Sequence, residues 1–259
     1  MTQVNLSHIK SLFPVLTENS MLTQWIRLHA GDKEPIPTTS AMKQAWLAFH
    51  NGDFLESASL AAEQDDGLSL QLKALSTYAH YLEQNADKKI EQFQSVTGLA
   101  AKGLSESYPN RVNLHYQIAY CLGRYGQFIS IPKALAEGIA GRVEDALSQC
   151  LDLEPGHADA HTAMATYQAE IIGKLGKIAG KLTYGVNSDK AVNFYEQGIA
   201  LAPFSISAKT EYADGLLTMF GKKQLKKAKS LYELAISSEP IDALEALDFS
   251  LAKQELADS

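Results

Sequence analysis

Lys190–Pro203, KAVNFYEQGIALAP, and Ala228–Pro240, AKSLYELAISSEP, share one frame. Counted back from Pro203 and Pro240, Ala191 and Ala228 stand twelve residues before the proline, Tyr195 and Tyr232 eight, and Gly198 and Ala235 five. Offsets of four and three put small, aromatic and small residues on one face of a helix. The small residues let a second helix approach, the aromatic fills the gap between the two, and the proline ends the unit. Val143, Leu147 and Cys150 repeat the frame in degenerate form before Pro155.

The rest of the chain agrees. Alanine and leucine make about a quarter of the 259 residues, apolar residues recur at spacings of three and four, and β-branched alternation is nearly absent. Breakers at Gly52-Asp53, Asp66-Gly67, Pro109-Asn110, Pro132, Pro155-Gly156, Pro203, Gly221 and Pro240 cut the pattern into helical hairpins. Trp46–Glu63 reads as a helix-turn-helix about Asn51-Gly52-Asp53, and residues 68–107 read as a longer, divergent pair. The final segment, IDALEALDFSLAKQELADS, aligns Leu244, Leu247 and Leu251 on one stripe and is predicted to cap the array.

The small-x3-aromatic-x2-small-x4-Pro spacing resembles the second helix of a tetratricopeptide repeat (TPR), and HADAHTAMATYQ resembles the first, with Met164 and Ala165 at its Leu-Gly-like positions. The expected fold is all-α: an α-solenoid of antiparallel helix pairs, a TPR-like right-handed superhelix with a C-terminal capping helix. One domain over 1–259 is expected, with divergent pairs in 1–107, repeats with lengthened helices in 110–240 and the cap in 241–259. The intervals between Pro109, Pro155, Pro203 and Pro240 are 46, 48 and 37 residues, so two units carry insertions over the usual ~34.

The segment KALAEGIAGRVEDALSQCLDLEPGHADAHTAMATYQAEI, followed by GKLGKIAGKLTYGVNSDKAVNFYEQGIALAP, is similar to the TPR-like domain of the regulator of microtubule dynamics family. The similarity spans roughly 110–240. It implies a non-enzymatic α-solenoid that associates with other proteins and, in some members, with membranes or lipid. The N-terminal anchor of membrane-attached members is not expected here.

Composition narrows the function classes. The net charge of -7 divides into -4 over residues 1–110 and -3 over 111–259, without the basic bias of a nucleic-acid binder. No window approaches the ~20 apolar residues of an integral membrane span, and polar residues interrupt any signal-peptide core in MTQVNLSHIKSLFPVLTENS. Cys121 and Cys150 form no CxxC motif, which fits a reducing compartment. A cytoplasmic protein is expected.

No catalytic, cofactor or metal site stands out. HADAH places His157 and His161 four apart, but Ala158 stands where a zinc protease needs Glu and a third ligand is missing. The other histidines suggest no triad, and GxSxG is absent. A partner, protein or peptide, would instead meet the inner faces of the first helices: Asn113, Tyr116, Tyr120 and Arg124, then Asp159, Thr162 and Thr166, then Thr210. The Lys, Arg and Asn of the TPR carboxylate clamp are largely missing. A neutral, tyrosine-containing groove suits an apolar segment or, as the alternative, a lipid or other apolar ligand.

Two lysine-rich stretches remain. In GKKQLKKAKS, Gly221–Ser230, the lysines flank Ala228 on outward positions and read as a solvated face with weak docking capacity. IIGKLGKIAGKLTYG, Ile171–Gly185, fails the P-loop pattern at Leu175 and Leu182. On a helical wheel its aliphatic residues fill an arc of roughly 120°, with Gly173, Gly176 and Gly180 on one flank and Lys174, Lys177 and Lys181 on the other. Gln168 precedes Ala191 by 23 residues where a regular repeat needs nine, so the stretch reads as an inserted extension of a first helix. Its apolar face is expected to be buried, its glycines to lie at a helix crossing where Gly176→Leu would overpack, and the three lysines to be candidate basic contacts.

Overall fold

Glycine and proline break the chain where the sequence leads one to expect. A computed structural model describes residues 6–259, and residues 1–5, the start of the expected 1–259 domain, lie outside the described residues. The helices are α1 Leu6–Lys10, α2 Glu18–Thr23, α3 Trp25–Leu28, α4 Ser40–His50, α5 Phe54–Ala62, α6 Leu68–Tyr81, α7 Ala86–Ser105 and α8 Arg111–Tyr125. They continue with α9 Ile131–Ala136, α10 Ile139–Leu153, α11 Ala158–Leu175, α12 Lys177–Tyr184, α13 Ser188–Leu201, α14 Ile206–Phe220, α15 Leu225–Ala235 and α16 Ala243–Asp258. Among the described residues there is no strand.

Chain neighbours pack as pairs: α4 with α5, α6 with α7, α8 with α10, α11 with α13, and α14 with α15. The first members also touch in series, α4 to α6, α8, α11 and α14, and so form an inner layer. The proline-anchored frame is the packing code for these pairs. Ala191, Tyr195 and Gly198 on α13 are buried, as are Ala228, Tyr232 and Ala235 on α15 and Val143, Leu147 and Cys150 on α10. At Gly198 a Cβ would lie 2.4 Å from Thr162 Oγ1 and 3.2 Å from the Ala158 carbonyl, so α13 rides directly on the backbone of α11. Tyr195 fills the neighbouring gap and stacks on Tyr212 of α14 at 4.9 Å.

The two long intervals are explained by extra helices, α9 between α8 and α10 and α12 between α11 and α13. Here one expectation is corrected. The stretch Ile171–Gly185 extends α11 only as far as Leu175: the helix stops at Gly176, whose φ of 79° and ψ of 160° belong to a region open only to glycine, and α12 starts afresh. Gly176 faces no close helix, since a Cβ there would meet nothing within 4 Å. Gly173 and Gly180 do mark close approaches, to Thr218 and Val186. The expected burial of the apolar arc also fails beyond the break, because Ile178 and Leu182 are 80% and 82% exposed.

The C-terminal helix differs from a free end cap. It packs on α14 and α15, as a cap would, and also on α1 and α4. Ala243, Ala246 and Leu247 belong to the same apolar cluster as Trp25, Trp46 and Phe49, so the inner layer closes into a ring. Polar contacts seal the seam: His50 Nδ1 lies 2.7 Å from Asp242 Oδ2, Arg27 pairs with Glu245 at 3.2 Å, and the Tyr81 hydroxyl donates to Asp248. Only one stripe of α16 could face an open end, whereas the seam occupies it on several sides.

Candidate functional site

The ring surrounds a cavity of about 550 Å³ bounded by α6, α8, α9, α10, α11, α14 and α16. Inner-layer register puts its side chains there: Lys73, Ser76, Thr77, His80 and Tyr81 from α6, then Tyr116, Tyr120, Gly123 and Arg124 from α8. Helix α11 adds Asp159, Thr162, Thr166, Glu170 and Lys174, and α14 adds Ser207, Thr210, Glu211 and Asp214. Each set recurs at three or four residues, the spacing of one helix face.

Seven of the eight inner-face residues expected from the sequence, Tyr116, Tyr120, Arg124, Asp159, Thr162, Thr166 and Thr210, line this single space. Asn113 does not. It is buried one turn earlier on α8, where its side chain donates to the Asp32 carbonyl and to Glu34 and its oxygen lies 2.8 Å from His157 Nε2. That His157 caps α11 by accepting from the Ala160 amide, and burial lowers its pKa to about 4. HADAH is thus the start of a helix, where the sequence frame puts the beginning of a first helix. Among the described residues no group of three or more His, Cys, Asp or Glu is placed to hold a metal ion.

Polarity changes along the cavity. Tyr116 lies against His157 at 5.0 Å, while Arg124, two turns on, shares Glu211 with Thr166, so α8 and α11 run in the same direction. Near the start of both helices stand Lys73, Tyr116, Asp159 and Thr162; towards their ends Ile131, Leu135, Ile139, Val143, Ile171 and Leu175 form an aliphatic wall beside Arg124, Glu170 and Lys174, which are held in ion pairs. From Asp159 to Leu175 the rise of a helix spans about 24 Å.

The charged groups are mostly matched within the wall. Lys73 donates to Asp32 at 2.8 Å, Arg124 to Glu211 at 2.9 Å while lying over the Tyr120 ring, and Lys174 pairs with Glu170 at 3.0 Å. Asp32 keeps its carboxylate well below the usual range despite burial, through His29 and Lys73. Three carboxyls facing the cavity, Asp159, Asp214 and Asp248, behave differently. Burial pushes Asp159 up to about 6 and Asp214 and Asp248 to about 7. Asp214 and Asp248 accept from Tyr232 and Tyr81, whereas the Asp159 carboxyl takes part in none of the hydrogen bonds or ion pairs among the described residues.

Of the candidate basic contacts, only Lys174 reaches the cavity. Lys177 instead lies over Phe220 at 4.3 Å, and Lys181 is exposed on α12. Sequence reasoning missed Lys73, Tyr81, Glu211, Asp214 and Asp248. The inner-face register could have found Glu211 and Asp214, which follow Ser207 at four and seven residues. Asp248 could not have been found that way, because it enters only through ring closure. No helix among the described residues is long and apolar enough to cross a membrane. No family model matches the chain, and no curated protein matches it.

Proposed function

We propose that this chain is a non-enzymatic, TPR-like binding protein that holds an apolar or amphiphilic small molecule, such as a lipid, in its central cavity. The observation that carries the reading is the polarity gradient of that cavity. The aliphatic side chains of α9, α10 and the end of α11 suit a hydrocarbon portion, while Tyr116, Thr162 and Asp159 at the other end offer hydrogen bonds to a polar head. A volume of about 550 Å³ lies within the range of small-ligand sites. The resemblance to the TPR-like domain of the regulator of microtubule dynamics family, with its right-handed superhelix, belongs to the same proposal and is supported by the packing of Ala191, Tyr195 and Gly198. So does a cytoplasmic setting, supported by the two buried free thiols, Cys121 and Cys150.

A protein or peptide partner that inserts an apolar side chain is the second reading. Ile131 and Leu135, which line the cavity and remain half exposed at its rim, favour it. Native mass spectrometry of the purified chain separates the two. A discrete added mass that is released by organic extraction is the expected result. A bare chain that retains a defined polypeptide in pull-downs would transfer the proposal to the second reading.

A further inference from the structure

Helix α12 has no role in the cavity reading apart from Tyr184, yet its construction is specific. Glycines of positive φ bracket it, Gly176 at 79° and Gly185 at 67°, so its direction is set independently of α11. At 100° per residue, Gly180 and Tyr184 fall on one side and Ile178 and Leu182 on the other. The structure matches this wheel: Gly180 is buried against Val186 and Ile171, and the two aliphatic side chains point outward. Lys177 and Lys181 lie along one flank of that apolar ridge.

Tertiary packing adds a second basic stretch beside it. Gly173 sits on Thr218 and Lys177 lies over Phe220, the residue just before Gly221–Gln224, whose Lys222 and Lys223 are exposed. The stretches 171–185 and 221–230 hold three and five lysines and no acid, on a chain of net charge -7. Lys227 is engaged with Tyr212 at 2.6 Å, but Lys177, Lys181, Lys222 and Lys223 make no ion pair among the described residues. An eight-residue helix is about 12 Å long, far too short to supply the ~800 Å² per partner of a stable protein interface. Aliphatic residues beside unpaired lysines do suffice for contact with an anionic lipid surface.

We propose that α12, together with the adjoining lysines of residues 221–224, docks this protein on an anionic bilayer. Ile178 and Leu182 enter the acyl boundary, and the lysines meet the headgroups. Lys174 and Leu175, which border α12, and Tyr184 at its end also line the cavity, so docking turns that rim towards the lipid. The proposal stands apart from the cavity reading: a chain without bound ligand could still dock.

Co-sedimentation of the full chain with phosphatidylcholine vesicles, with and without phosphatidylglycerol, tests it. Binding only to the anionic vesicles, and release at high salt, are expected. Ile178→Ser with Leu182→Ser, and separately Lys181→Glu with Lys223→Glu, should each weaken binding about tenfold or more. Because these side chains are exposed, the melting temperature should hold in both variants. Failure of the wild-type chain to bind anionic vesicles would overturn the proposal, as would variants that bind like wild type. So would light scattering that shows a dimer lost in the Ile178→Ser, Leu182→Ser variant, since the ridge would then serve a second copy.

Discussion

Three glycines do two different jobs, and only their surroundings tell them apart. At Gly198 the limit is space: α11 lies so close that Gly198→Ala must push Thr162 from its bond to the Ala158 carbonyl. We expect a loss of about 1–2 kcal/mol by overpacking, seen in thermal unfolding as a melting temperature about 2–8 °C lower. At Gly215 the space is taken by the Tyr195 ring, the aromatic of the repeat frame. At Gly176 the limit is backbone conformation. Gly176→Ala and Gly176→Leu should therefore cost the same, about 1–3 kcal/mol. A leucine variant much worse than the alanine variant would restore the close crossing that the sequence suggested.

At the scale of the element, the inner helices trade packing for access. Gly123 on α8 lines the cavity, and a Cβ there meets nothing within 4 Å. Gly123→Phe is thus predicted to fill space rather than to clash, and leaving glycine inside a helix gains up to about 1 kcal/mol. A melting temperature equal to or above wild type, with loss of the co-purifying ligand in native mass spectrometry, is the expected pair of results. An unstable Gly123→Phe would mean that the cavity wall at α8 closes in solution. The inner-face positions on α8, α11 and α14 were readable from the proline frame because a helix face repeats with fixed period. The direction of α12 was not, since a wheel drawn through Gly176 assumes a helix that the backbone there abandons.

At the scale of the molecule, closure makes distant segments one unit. Asp242 caps α16 and meets His50 of α4, 192 residues away, so Asp242→Ala leaves a buried imidazole without its partner and should cost about 3 kcal/mol or more. Hydrogen exchange should then rise in α4 as well as in α16. A rise confined to α16 would fit an open array with a simple end cap. Buried titratable groups also set a pH profile. Glu34 is pushed up to about 8 and Glu245, Asp214 and Asp248 to about 7, chiefly by burial, so the folded chain binds more protons than the unfolded chain above pH ~4. Their contribution is lost as pH rises through 7 to 8. His29, His80 and His157 are lowered by burial and act in the opposite sense below about pH 6.5. Thermal melts should therefore show higher stability at pH 6.5 than at pH 8.5, and the three histidines offset only part of the further gain towards pH 4, because the raised carboxyls outnumber them.

What the sequence determined by itself was local and periodic. The spacing of Ala191, Tyr195, Gly198 and Pro203 dictates a helix with one crowded face, and repetition of that spacing dictates paired helices with a shared inner side. That sufficed to bring Tyr116, Tyr120, Arg124, Asp159, Thr162, Thr166 and Thr210 towards one space. Only the tertiary structure decided that the array returns on itself, because Asp242, Asp248 and Glu245 reach His50, Tyr81 and Arg27, more than 160 residues away, across the seam. It also decided what the Ile171–Gly185 stretch presents: one glycine conformation turns an aliphatic stripe that would have packed inward into an exposed ridge flanked by lysines. Both depend on contacts between residues far apart in the chain, where no sequence period reaches.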